Sequence, residues 1–267
     1  MEIVLAVALG LLIGAALGAL GGGGSILAVP VLVYIAGQEP KAATATSLVA
    51  VAAAALVGAA GHARAGRVRW GPAAAFTATG VGGAWLGSHV NGQIDEDLLL
   101  LGFSVLILVA AHRMLTACPS CTRVGEDLAV RATGGGSGRR IDVAGVARIV
   151  AAGSVVGFLT GLFGVGGGFV IVPALTLALG MSMPIAIGTS LAIIVGNALV
   201  TLGFRGVDAV EWAIAIPFTV TMLIGSAVGS SFGHKLPPEK SLRAFAGLLV
   251  VVAIANGIAA ALALASS

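Results

Sequence analysis

Apolar runs follow one another almost from end to end of this chain, at about 3–20, 25–37, 42–60, 71–90, 98–116, 145–163, 168–180, 184–203, 210–232 and 241–264. A membrane span needs about 20 predominantly apolar residues, so the pattern predicts a series of helices lying in lipid. One polar stretch interrupts it, at about 117–144, with Cys118-Pro119-Ser120-Cys121, Glu126-Asp127 and a Gly/Ser/Arg run through Arg140. That composition reads as a flexible extramembrane linker. Of 267 residues, 58% are hydrophobic and only 9% charged, against about 25% charged in a soluble domain. Such a chain cannot cover a soluble core with polar surface, which excludes a soluble enzyme, a disordered protein and a nucleic-acid binder. The 41 glycines and 5% aromatics point to helices that pack closely and break within the membrane. The N-terminus, Met1-Glu2-Ile3, lacks the positive start of a signal peptide, so the first run reads as part of the mature protein.

The linker separates two copies of one pattern. Under a shift of 143 positions, Gly10, Gly14 and Gly18 fall on Gly153, Gly157 and Gly161, and Gly21, Gly23, Gly24, Val29 and Pro30 on Gly164, Gly166, Gly167, Val172 and Pro173. Thr46-Ser47-Leu48 falls on Thr189-Ser190-Leu191. A shift of 142 then pairs Trp70 with Trp212, Gly83 with Gly225, Gly87 with Gly229 and Phe103 with Phe245. The ordered coincidence of Gly, Pro, Thr-Ser and Trp marks a duplication, a feature characteristic of transporters. The expected domains are a first transmembrane repeat over 1–116, a linker over 117–144 and a second repeat over 145–267.

Charge orients the repeats, because Lys and Arg accumulate on the cytoplasmic side. The loop after the third run holds Arg64, Arg67 and Arg69, the next holds Asp95, Glu96 and Asp97, and the linker is basic again. Carried through the second repeat, this leaves 12 of 14 basic residues inside, the exceptions being Lys41 and Arg205. Equivalent loops then lie on opposite sides. The expected architecture is an all-α integral membrane protein of two inverted-topology repeats. Each is a Gly-loop helical hairpin with a half-helix plus three spanning helices, with both termini outside and the linker cytoplasmic.

The chemistry is expected at the glycine clusters, Gly21-Gly22-Gly23-Gly24 and Gly164-Val165-Gly166-Gly167-Gly168, each before a run of thirteen residues, 25–37 or 168–180. Thirteen helical residues cover about 20 Å, short of a hydrocarbon core of about 30 Å. A half-helix starting at a glycine turn inside the membrane presents open N–H groups and the positive end of its dipole. That is an anion site needing no basic side chain. Pro30 and Pro173, about a turn into each half-helix, remove an N–H and free a carbonyl. Thr46, Ser47, Thr189 and Ser190 bring hydroxyls that either donate to an oxyanion or bond back to their own helix. Asn197 has no counterpart in the first repeat and serves either the site or helix packing. The clusters are not nucleotide loops, since no Lys-Ser or Lys-Thr follows.

The sequence Gly164-Val165-Gly166-Gly167-Gly168, then Val172-Pro173, then Gly188-Thr189-Ser190-Leu191, resembles the sulfite exporter TauE/SafE family, also called the toluene-sulfonate uptake permease family. The resemblance covers nearly the whole chain. In the first repeat Ser25 stands in the place of Gly168 and Gly22 in that of Val165. The resemblance implies a multi-pass transporter of the prokaryotic inner membrane. Its substrates would be small sulfur-containing anions of the sulfite, thiosulfate or organosulfonate type. The expected binding residues are Gly22, Gly23, Gly24, Ser25, Thr46, Ser47, Gly166, Gly167, Gly168, Thr189, Ser190 and Asn197. No catalytic residue, metal or other cofactor is expected, and the partners are the anion and the lipid bilayer. A homodimer and a coupling proton stay open. A passive anion channel and a non-transporting membrane scaffold are the alternatives.

The remaining polar groups read as ordinary. The absence of Asp, Glu, Lys or Arg from the middle of any predicted span argues against a carboxylate-driven antiporter. His62, His89, His112 and His234 read as interfacial or loop residues. Cys118 and Cys121 offer only two sulfurs for a metal or dithiol role. Gly83 with Gly87, and Gly225 with Gly229, are small-xxx-small pairs for close helix contact, within the chain or between protomers.

Overall fold

The computed structural model describes residues 2–22, 25–91, 96–116, 143–163, 168–205, 208, 210–233, 239 and 243–254. All secondary structure among them is helical. The helices are α1 Glu2–Leu20, α2 Ser25–Tyr34, α3 Pro40–Arg64, α4 Trp70–Asn91 and α5 Glu96–Thr116. Then come α6 Val143–Phe163, α7 Gly168–Leu177, α8 Met183–Arg205, α9 Trp212–Gly233 and α10 Arg243–Ile254. Among the described residues, four stretches are long and apolar enough to cross a membrane: Lys41–Arg64, Gly145–Leu162, Met183–Gly203 and Trp212–Phe232. The linker with Cys118 and Cys121, residues 92–95 and His234 lie outside the described residues.

Helix ends follow local chemistry. Pro40 sits in the first turn of α3, where its missing N–H is no loss. The two half-helices have ten residues each, shorter than their apolar runs, because glycine stops them. Gly37 (φ +68°) and Gly180 (φ +62°) occupy the left-handed region just past their ends, where a Cβ would be strained.

The two halves are interleaved. α1 packs most extensively on α9, and α4 on α6, so each half's first helix lies against the other half's fourth. These seams are glycine-lined. A Cβ at Gly14 or Gly18 would overlap the backbone of Met222 or Ser226, and one at Gly157 or Gly161 the backbone of Gly80 or Ala84. Gly83 and Gly87 lie as closely on Ser154 and Phe158, and Gly225 and Gly229 on Leu11 and Ala15. The small-xxx-small pairs are therefore spent within the chain. The rising order of both partners shows that α1 runs parallel to α9, and α4 to α6. The central pair differs. Gly58 of α3 meets Leu191 of α8, and His62 meets Gly188, so α3 and α8 cross antiparallel. Phe76, Phe218 and Phe245 fill the core, while Leu12, Leu56, Trp85, Leu199 and Val251 face outward, the apolar belt a lipid-facing bundle needs.

Candidate functional site

Gly21 and Gly22 meet the start of α7 halfway along α8. Gly21, at φ +78°, turns the chain out of α1, and its N–H still donates to the Leu17 carbonyl at 2.8 Å. Gly22 abuts Gly168 so closely that a Cβ on Gly22 would overlap the Gly168 backbone. A Cβ on Gly168 would stand 3.2 Å from both the Gly22 carbonyl oxygen and Ile194. Ile194 is about 16 Å along α8 at 1.5 Å per residue, near its middle. Gly21 faces α7 and α8: a Cβ there would lie 2.7 Å from Ser190 Oγ and 3.1 Å from Val172. The sequence therefore brings the starts of α2 and α7 together from opposite halves. Ser25 Oγ donates to the Gly22 carbonyl at 2.7 Å, closing the first turn. Gly23, Gly24, Gly166 and Gly167 lie outside the described residues. Pro173 is buried and Pro30 exposed.

The hydroxyls divide by role. Ser47 donates to the Thr44 carbonyl at 3.0 Å and Ser190 to the Ile187 carbonyl at 2.8 Å, so each hydroxyl proton goes to its own helix. Their oxygens present lone pairs outward, and Ser190's faces Gly21. Thr46 and Thr189 are fully buried. Thr189 Oγ1 accepts the backbone N–H of Arg69 at 3.2 Å, which occupies a lone pair and leaves the threonine its proton. Asn197 is half-buried, and its carbonyl accepts from Thr201 at 2.8 Å.

His62 departs from the sequence reading. It was expected at an interface, yet it is 1% exposed, with Nε2 3.2 Å from the Gly18 carbonyl. That oxygen can only accept, so Nε2 carries the proton. The last turn of α3 passes beneath the end of α1, and His62 ties that end down three residues before Gly21. His89 and His112 are exposed, and His89 stacks on Trp85 with ring centroids 6.0 Å apart.

Two residues at the far end of α2 escaped the sequence reading. Gln38 follows Gly37 at the end of α2 and is 4% exposed. Its Nε2 donates to Glu211 Oε2 at 3.1 Å and makes a longer contact with Thr46 Oγ1 at 3.4 Å. The first of these bonds joins the two halves. A signal was present: Glu211 precedes Trp212 as Arg69 precedes Trp70, so the paired tryptophans flag a paired position of opposite charge. The arrangement as a whole combines buried hydroxyls, the abutting glycines Gly22 and Gly168 and the N-terminal ends of two ten-residue helices, a setting that favours negative charge.

A family model described as sulfite exporter TauE/SafE matches residues 6–256. The chain is 37% identical over 257 residues to a probable membrane transporter protein of Xylella fastidiosa strain 9a5c, covering 95% of this chain and 94% of that one. It is 27% identical over 186 residues to the probable membrane transporter protein YunE of Bacillus subtilis, covering 66% and 68% of the two. No solved structure matches.

Proposed function

The chain belongs to the sulfite exporter TauE/SafE family, and from that premise we propose that this membrane transporter carries small sulfur-containing oxyanions across a prokaryotic inner membrane by alternating access. The anion is held where the α2 and α7 starts abut. The observation that carries this reading is the contact of Gly22 with Gly168 beside Ile194. Two helix N-termini from different halves converge on one point at mid-depth, where water is scarce and a negative solute needs substitute donors. Backbone N–H groups of Gly22, Gly23, Gly24, Gly166, Gly167 and Gly168 take the place of that water. Thr189 adds a hydroxyl proton. Ser47, Ser25, Ser190 and Asn197 shape the surroundings, while Thr46 stands beside Gln38 at the other end of α2.

The two halves are read as inverted repeats, with the basic α3–α4 loop cytoplasmic. The antiparallel crossing of α3 and α8 supports this, because the two are sequence equivalents. The parallel pairs α1/α9 and α4/α6 agree with the same reading. Rocking one half against the other then exposes the glycine junction to each side in turn.

The test is thermal stabilisation of the purified protein by sulfite, thiosulfate or sulfoacetate, each against chloride at equal ionic strength. At least one raises the unfolding midpoint of wild type and none raises that of Gly168→Val, whose side chain fills the junction. Equal stabilisation of the variant removes the site.

A further inference from the structure

We propose that the corner between α2 and α3, at Gln38, Thr46 and Glu211, is a binding site for a single monovalent cation of sodium size. Its role in coupling rests on the anion reading above; its existence does not. The first observation is an orphan. Gln38 is 4% exposed, and its Oε1 has no hydrogen-bond partner. That open oxygen lies on the side of the amide away from Glu211 and Thr46, which face Nε2, and a buried acceptor left open marks an amide whose other orientation has something to gain. The second is the geometry of the amide. Nε2 now lies 3.1 Å from Glu211 Oε2 and 3.4 Å from Thr46 Oγ1. A half-turn of the amide places Oε1 there instead, since its two ends are nearly the same size. Oε1 would then stand next to two further oxygens, Glu211 Oε2 and Thr46 Oγ1. Separations of this size match the edges of a shell with ligands at about 2.3–2.6 Å. Amide, hydroxyl and carboxylate oxygens are hard donors with one negative charge among them, which suits a singly charged hard cation.

The third observation is the helix behind the site. α2 ends in a glycine cap in which the Gln38 N–H donates to the Leu32 carbonyl at 3.0 Å, so Gln38 sits at the negative end of its dipole. The same short helix thus points its positive end at the anion junction and its negative end at the cation, about 15 Å apart. The fourth is a control within the molecule. The equivalent corner has Gly180, a Met181 N–H donating to the Leu175 carbonyl at 3.0 Å, and Arg69 where Glu211 stands. Met181 is fully buried there. The fold closes this corner without an amide or a carboxylate, so Gln38 and Glu211 are not what the backbone requires. A cation at the first corner bridges the two halves and moves with them.

The experiment uses the purified full chain without any sulfur anion, titrated with sodium chloride or with choline chloride at matched chloride. Sodium raises the unfolding midpoint saturably by several degrees and choline does not. Glu211→Gln, which keeps the size and the amide pairing, loses the sodium response, and so does Gln38→Met, which copies the second corner. An equal response to choline, no response to sodium, or a sodium response kept in both variants overturns the site. A sodium response in protein that no sulfur anion stabilises leaves the cation site standing and removes only the anion reading.

Discussion

The α2–α3 and α7–α8 corners share a backbone and differ in chemistry. Each ends a ten-residue helix, turns on a left-handed glycine, Gly37 or Gly180, and closes a bond across that turn, Gln38 to Leu32 or Met181 to Leu175. Each stands over a buried threonine, Thr46 or Thr189. At the second corner an apolar methionine fills the space, and the threonine takes the Arg69 N–H directly. At the first, an amide spans the gap to a carboxylate from the other half. The two corners keep the same turn because it is dictated by backbone strain and by hydrogen bonds that must be made. Their side chains are free to diverge, and divergence at a matched position separates function from folding.

The comparison breaks outright if the corners face the same side of the membrane. Cysteines placed at Glu39 and Ser182, in protein with Cys118 and Cys121 replaced, are expected to react with an impermeant thiol reagent from opposite sides. Labelling of both from one side ends the inverted reading. A smaller effect comes from carrying one corner's chemistry to the other. Met181→Gln buries an amide where no carboxylate waits, at a cost of roughly 1–3 kcal/mol. The unfolding midpoint falls and no sodium response appears; an unchanged midpoint shows that the second corner tolerates polarity and is no control. Smallest is the removal of each threonine hydroxyl. Thr189→Val loses the 3.2 Å bond from Arg69 and costs about 1 kcal/mol. Thr46→Val loses only a 3.4 Å contact and costs less. Denaturation of the two variants side by side reads the difference, and the reverse order would make Thr46 the structural member.

The sequence by itself determined that the chain lives in lipid, that one pattern of Gly, Pro, Thr-Ser and Trp occurs in it twice, and that its short helices start at glycine clusters. These are consequences of solvent transfer and local backbone freedom, which act within a few residues and leave their mark in composition and spacing. It also determined the close helix contacts at Gly83, Gly87, Gly225 and Gly229, though not their partners. Only the tertiary structure decided that α1 seats on α9 and α4 on α6, that Gly22 meets Gly168, and that His62 is buried against Gly18. It alone brought Gln38 to Glu211, 173 residues away. Contacts between distant segments depend on how whole helices cross, and an apolar chain offers many equally greasy faces. The choice among them rests on shape, which no single position in the sequence records.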